Sequence, residues 1–161
     1  MAATPDRLEL VLTRRSRDLP SHSGQVAFAG GTNEPADADA VDTALRETQE
    51  ELGVPRAAIE IIGCLDDLDT ITGYHVTPVV GMLRQLVSFT PDLSEVARIF
   101  SVPLDLLLNE DLWRQQTHRY GGRRSRAWHF AYDGEDVWGV TATILRRLIH
   151  LLRQAATTRG G

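Results

Sequence analysis

Apolar residues crowd the run Leu8 to Thr13, which reads as a short β-strand, and an arginine-rich turn follows it. Residues 19–31 are dense in glycine and small polar side chains, with a Val26-Ala27-Phe28 island that reads as a strand. Turn formers at 32–39 lead into a helix over about Ala40 to Leu52. There Val41, Ala44, Leu45, Thr48 and Leu52 share an arc of about 100°, one core-facing stripe. Gly53 is the stop signal, with Pro55 just beyond. Glu60 to Leu65, Tyr74 to Leu83 and Arg98 to Val102 read as strands. Arg126 to Tyr132 and Asp136 to Trp138 flank Asp133-Gly134, a hairpin signal. A second amphipathic helix is expected from about Thr141 to Gln154, with Ile144, Leu145, Leu148, Ile149 and Leu152 inward and a frayed tail from Thr157. Strands flanking a helix, then further strands and a terminal helix, imply an α/β or α+β layer domain.

Composition narrows the class. The 161 residues suffice for one domain, taken as 1–161, and 42% apolar with 24% charged residues is globular. Seventeen basic against 22 acidic residues give a net charge of −5, so no nucleic-acid partner is expected. Every basic residue is arginine, which excludes Schiff-base chemistry and a P-loop. One cysteine, Cys64, excludes an internal disulfide and a cysteine-rich zinc site. The start lacks an apolar signal core, and the apolar run Ile144 to Leu152 is interrupted by Arg146, Arg147 and His150. No membrane partner is expected, and a cytoplasmic location is.

The chemistry lies on the first helix. Glu47, Glu50 and Glu51 stand at i, i+3 and i+4, on neighbouring positions of one face, and Arg46 lies one turn before Glu50. Three crowded carboxylates repel one another unless a cation neutralises them, and hard oxygen donors suit Mg²⁺ or Mn²⁺. By itself the cluster reads as a solvated helix face, since glutamate is a good exposed helix former.

Its context is more specific. The run Gly31-x5-Asp37-x8-Arg46-Glu47-Thr48-x-Glu50-Glu51-x-Gly53-Val54 resembles the Nudix box: glycine, five residues, glutamate, seven residues, then Arg-Glu-aliphatic-x-Glu-Glu-x-Gly-aliphatic. Asp37 replaces the usual glutamate, the following spacer is one residue longer, and Thr48 replaces an aliphatic residue. Upstream, Leu12-Thr13-Arg14-Arg15-Ser16, Leu19, His22, Gly24-Gln25-Val26-Ala27-Phe28-Ala29-Gly30-Gly31 is similar to the signature of coenzyme A pyrophosphatases within that family, with Ala29 where proline is usual. Gly73 to Val79, Glu95-Val96, Val102-Pro103-Leu104 and Val137 to Ala142 resemble further segments of that subfamily. The resemblance covers roughly Leu8 to Leu152. Such proteins usually carry another apolar strand before the first one read here, so the domain is expected either to lack it or to close its sheet differently.

The resemblance implies a Nudix-type α/β/α sandwich with a mixed central sheet. It implies metal-dependent hydrolysis of a diphosphate, in coenzyme A or its derivatives, giving 4′-phosphopantetheine and adenosine 3′,5′-bisphosphate. Glu47, Glu50 and Glu51 become metal ligands for Mg²⁺ or Mn²⁺, with Glu50 also a holder of metal-bound water and Arg46 orienting the carboxylates. Glu95 is either the general base or a solvated loop carboxylate. Arg15, His22, Gln25, Gly30 and Gly31 are assigned to substrate binding, although His22 and Gln25 equally fit a loop brace. Asp37 is assigned to the loop and His75 to a structural role. Arg119, Arg123, Arg124 and Arg126 surround an expected hairpin tip at Gly121-Gly122 and read as a solvated basic loop or a phosphate site. Trp128, Phe130 and Trp138 read as core. The expected partner is a small diphosphate bound by a monomer or homodimer. The rival readings are a Nudix enzyme acting on ADP-ribose, dinucleotides or nucleoside triphosphates, and a non-catalytic Nudix-fold nucleotide sensor.

Overall fold

A computed structural model describes residues 1–4, 7–120 and 122–159. The chain divides into two compact units, Met1–Leu104 and Asp105–Gly161, each described by itself.

The first unit is built on a mixed sheet. Strands β1 (Ala2–Thr4), β2 (Arg7–Arg15), β3 (Val26–Ala27), β4 (Ile59–Cys64), β7 (Val79–Leu83) and β8 (Val96–Pro103) run in the order β3-β2-β1-β7-β4, with β8 also on β2. The β1–β7 pair is parallel and the others are antiparallel. Ala2–Thr4 thus supplies a strand before the first one read from the sequence, and Met1 anchors it by donating its terminal ammonium to Gly81 O at 2.7 Å.

The expected Tyr74-to-Leu83 strand is broken. It forms β6 (His75–Val76), paired with β5 (Leu68–Asp69), and then β7. Pro78 has no N–H to give a ladder, and its carbonyl instead accepts from Leu65 N at 2.9 Å.

Helix α1 (Ala40–Leu52) has the expected ends. Asp39 caps the start by accepting from Asp42 N at 2.9 Å. Gly53 ends it at φ 68°, donating to Gln49 O at 2.9 Å. The expected inward stripe needs correction: Leu52 is buried, but Val41, Ala44, Leu45 and Thr48 are only half-buried, and Thr43 and Glu51 are buried as well. Leu52, Val54, Leu83 and Val96 form the local core, with Phe89 and Ile99 against it.

The second unit is a meander of β9 (Trp113–Tyr120), β10 (Arg123–Tyr132) and β11 (Glu135–Trp138), followed by α3 (Gly139–Arg159); a short helix, α2 (Leu104–Leu108), precedes it. Strand β9 and helix α2 depart from the sequence reading; on β9, Arg114-Gln115-Gln116-Thr117 carries no apolar alternation. The Asp133-Gly134 turn forms as expected, with both residues at positive φ, 50° and 79°. Of the other proposed tip, Gly121 lies outside the described residues, while Arg119, Arg124 and Arg126 are exposed. Helix α3 continues through the segment expected to fray. Thr157 and Thr158 hydroxyls bond back to Arg153 O and Gln154 O at 3.0 Å each; in this tail Gly160 and Gly161 lie outside the described residues. Leu145 and Ile149 of α3 are buried, as are Phe130 and Val137 on the strands β10 and β11 that α3 contacts. Trp113 and Trp128 lie on the strand face of Phe130 with Arg146 stacked over both rings, at 5.3 and 4.6 Å.

Candidate active site

Two carboxylate groupings lie along α1, each organised by one arginine. The first surrounds Arg46, whose side chain is 17% exposed. Its Nε donates to Asp37 Oδ1 and its Nη2 to Asp37 Oδ2, both at 3.0 Å, a bidentate fork. Its Nη1 donates to Glu47 Oε1 and Glu50 Oε2, both at 2.9 Å, and Nη2 also reaches Thr32 O at 3.1 Å. The expected Arg46–Glu50 pair therefore forms, but as one arm of a larger hub. Asp37 is itself locked, accepting from Glu34 N and Thr43 Oγ1 at 2.9 Å each. The Arg46 fork, foremost, and these bonds hold its carboxyl far below the usual carboxylate range. The shorter aspartate and the longer spacer thus compensate: the guanidinium is still gripped at two points.

The second grouping surrounds Glu51, whose side chain is 4% exposed. Arg15, the last residue of β2, places Nη1 3.8 Å from Glu51 Oε1, and Gly30 N–H donates to the same carboxylate. Burial, foremost, pushes the Glu51 carboxyl up to about 7 despite Arg15, and the charges of Glu47 and Glu95 add to the rise. Glu51 therefore does not sit on a solvated helix face. Arg15 meets it where the β2 ladder shifts register between Arg14 and Arg15, and the turn at Gly30-Gly31 brings backbone against the helix.

Gly31 shows how close that approach is. A Cβ there would lie 2.2 Å from Glu47 Oε1, so the glycine leaves the space the carboxylate fills. At the other end of α1, Leu52 O accepts from Thr90 N at 2.8 Å and Glu51 O from Asp92 N at 3.0 Å. That loop turns on Asp92, whose Oδ1 accepts from Ser94 N and Oγ, and it carries Glu95, whose carbonyl accepts from Ser16 N at 2.6 Å. The loop from β7 to β8 thereby brings Glu95 within electrostatic reach of Glu51.

His22 and Gln25 are placed differently. His22 Nδ1 lies 3.1 Å from Gln25 Oε1, Gln25 N donates to His22 O at 3.1 Å, and Gln25 O accepts from Arg15 N at 3.0 Å. Their contacts are those of a brace for the turn that leaves β2 at Arg15. His75 is exposed and bonds Asp69 and Asp67 at 2.9 and 3.1 Å, which raise its pKa, Asp69 foremost. Sequence reasoning missed Thr43, Thr32 and the Asp92–Ser94 cap. Thr43 carried a signal, since it lies one turn before Arg46 on α1, but Thr32 acts through its carbonyl and has none. Among the described residues, no three His, Cys, Asp or Glu side chains converge as a ready-made metal site, because Arg46 engages Glu47 and Glu50. Nor is any described helix long and apolar enough to cross a membrane.

Comparison with known proteins agrees with this arrangement. A family model described as the NUDIX domain matches residues 2–120. The chain is 43% identical over 141 residues to the uncharacterized Nudix hydrolase NudL of Yersinia enterocolitica, covering 86% of this chain and 71% of that protein. Among solved structures, the Nudix hydrolase RenU of M. smegmatis aligns with a TM-score of 0.54 at 19% identity, over 65% of this chain and 66% of that one. An Ap4A hydrolase of C. elegans aligns at 0.53 and 20%, over 62% and 72%. At such identities the two structures speak for the fold alone, a mixed α+β Nudix fold. With the box residues on one helix, the glycine turn against it and the family match across most of the chain, this protein belongs to the NUDIX domain family and is a Nudix hydrolase, an enzyme acting on a diphosphate bond.

Proposed function

We propose that this chain hydrolyses the diphosphate of coenzyme A or a close derivative with Mg²⁺ or Mn²⁺, yielding 4′-phosphopantetheine and adenosine 3′,5′-bisphosphate. The supporting observation is the meeting of two sequence signatures at one carboxylate. Arg15 and Gly30 belong to the segment similar to coenzyme A pyrophosphatases, Glu51 belongs to the box, and both of the former contact Glu51.

The donor set fits a hard divalent cation. Burial, foremost, and the charges of Glu47 and Glu95 hold the Glu51 carboxyl up at about 7 despite Arg15, and a bound cation would favour its ionised form. Glu47, Glu50 and Glu51 are the residues that would hold the ion. When bound, a divalent cation screens the diphosphate and lowers the pKa of an attacking water. Arg46, fixed from behind by Asp37, orients Glu47 and Glu50. Arg15 Nε is buried without a hydrogen-bond partner, and a phosphate oxygen would satisfy this orphaned donor. Glu95 accepts the proton of the attacking water on its carboxylate, and Gly30 and Gly31 let the backbone approach the substrate. This reading places the protein in the cytoplasm, as a monomer or homodimer.

Incubation with Mn²⁺ and a panel of diphosphates, with products resolved by chromatography, tests the assignment. Coenzyme A is expected to be split at its diphosphate. Intact coenzyme A alongside cleaved ADP-ribose, dinucleotide or nucleoside triphosphate overturns the specificity. Tight binding without turnover at saturating metal would establish a sensor instead.

Gly31→Ala tests the cradle. Its methyl displaces the flexible end of Glu47 rather than any backbone, so the melting temperature should barely change. Turnover should fall about 100-fold, the usual consequence of misplacing a reacting group by an ångström.

A further inference from the structure

The meander of the second unit carries a histidine pair that the diphosphate chemistry does not use. His118 lies on β9, His129 on β10, and Asp136 and Trp138 on β11. The register pairs His129 with Trp138, and the two-residue period of the strands sets this group on the face opposite Trp113, Phe130 and Val137. His118 Nε2 and His129 Nε2 are 2.8 Å apart. Their rings lie within 11° of parallel with centroids 5.0 Å apart, so they meet head to head in one plane. The indole of Trp138 is parallel to both, within 10° and 2°, at 5.1 and 5.8 Å, and forms a flat wall along the pair. Behind them, Asp136 Oδ2 lies 2.9 Å from His129 Nδ1, and Arg114 is 3.9 Å from the other carboxylate oxygen.

Proton positions follow from these contacts. Asp136 requires a donor at His129 Nδ1, which leaves a lone pair on His129 Nε2 in the neutral ring. The contact between the two Nε2 atoms then holds a single proton, given by His118. A buried histidine ordinarily satisfies its second nitrogen with a carbonyl, hydroxyl or water. Here two identical atoms face each other, and their contact persists only while one is protonated and the other is not. A carboxylate on the remote nitrogen, a fixed ring plane and an Nε2 lone pair engaged only by a displaceable N–H match the preparation that metal-ligating histidines receive.

The geometry points to a two-imidazole site for a borderline divalent cation of the zinc class, held between Nε2 of His118 and Nε2 of His129. It is independent of the diphosphate reading and uses none of its residues. Two nitrogens bound at about 2.0–2.1 Å with a tetrahedral angle stand about 3.3 Å apart. The observed pair is therefore about half an ångström too close, which a small rotation of the half-buried His118 supplies. On binding, the proton leaves His118 Nε2 and its Nδ1 takes one up, so both Nε2 atoms become ligands and waters complete the coordination. Imidazole nitrogens favour zinc, nickel and copper over magnesium, which selects against the ion expected at the carboxylates.

The test uses the full chain, stripped with chelator and then given millimolar Mg²⁺ to occupy the carboxylates. Zinc is added while the ring nitrogens of all 5 histidines are followed by ¹⁵N NMR. His118 and His129 should shift together and saturate at one equivalent in the micromolar range, with His22, His75 and His150 unmoved. His118→Asn should abolish the saturating response with the amide spectrum otherwise preserved. Asp136→Asn should weaken zinc binding about 10-fold, the usual cost of losing the carboxylate behind a ligand. His75→Asn should leave the affinity unchanged. Unmoved His118 and His129 signals at millimolar zinc, or wild-type affinity in His118→Asn, overturn the proposal.

Discussion

Replacing Glu51 with glutamine is expected to reduce metal-dependent diphosphate hydrolysis on the order of 1,000-fold while making the metal-free protein more stable at alkaline pH. The activity loss follows from its proposed place as a cation ligand, since an amide is nearly isosteric but carries no charge. The gain in stability follows from burial. The native carboxyl has a pKa of about 7 against an ordinary 4.5, so between these values the folded chain binds more protons than the unfolded chain. Stability from this group is thus full below pH 4.5, falls as the pH rises, and levels off above pH 7. The displacement corresponds to about 3 kcal/mol, or roughly 10 °C in a chain of this size. Thermal melts with chelator should show Glu51→Gln above the wild type at pH 8 and the two curves converging below pH 4.5. Saturating Mg²⁺ should raise the wild type more at pH 8 than at pH 5 and leave the variant little changed. Equal pH slopes for the two proteins would contradict the burial of this charge, and retained turnover would contradict the site.

Gly53→Val should cost about 3 kcal/mol and impair catalysis. At φ 68° a β-branched residue is strained, and a Cβ would lie 2.9 Å from both Thr90 Cβ and Thr90 O. Backbone rather than a flexible tip must therefore move. Thr90 and Asp92 satisfy the last carbonyls of α1, including that of Glu51, and the same loop carries Glu95. Urea unfolding should show the lower midpoint. Turnover at saturating metal should fall about 100-fold, because the proposed base is displaced. A variant that loses stability but keeps turnover would remove Glu95 from the chemistry and leave the loop a purely structural cap.

Local chemistry was legible in the sequence. The bounds of α1 followed from a turn-forming approach, one apolar stripe and Gly53. The Asp133-Gly134 turn followed from two residues that tolerate positive φ. Arg46 and Glu50 paired because they are one helical turn apart. The Tyr74-to-Leu83 strand failed at Pro78, which has no N–H for the ladder and stands between β6 and β7. Strand β9 was missed because its outward residues are polar on a hairpin held by its partner strand rather than by its own periodicity.

What the sequence determined by itself is the family, the carboxylate helix and its caps, since these depend on spacings within one or two turns of chain. Tertiary structure alone decided that Glu51 is buried, that Arg15, 36 positions earlier by number, faces it, and that the β7–β8 loop caps its helix. It alone decided that His118 and His129 meet beside Asp136. Burial and long-range charge contacts are set by which strands pair and which faces they turn inward. Those pairings join residues with no local signal in common, whereas caps, turns and one-turn ion pairs are settled within the backbone that carries them.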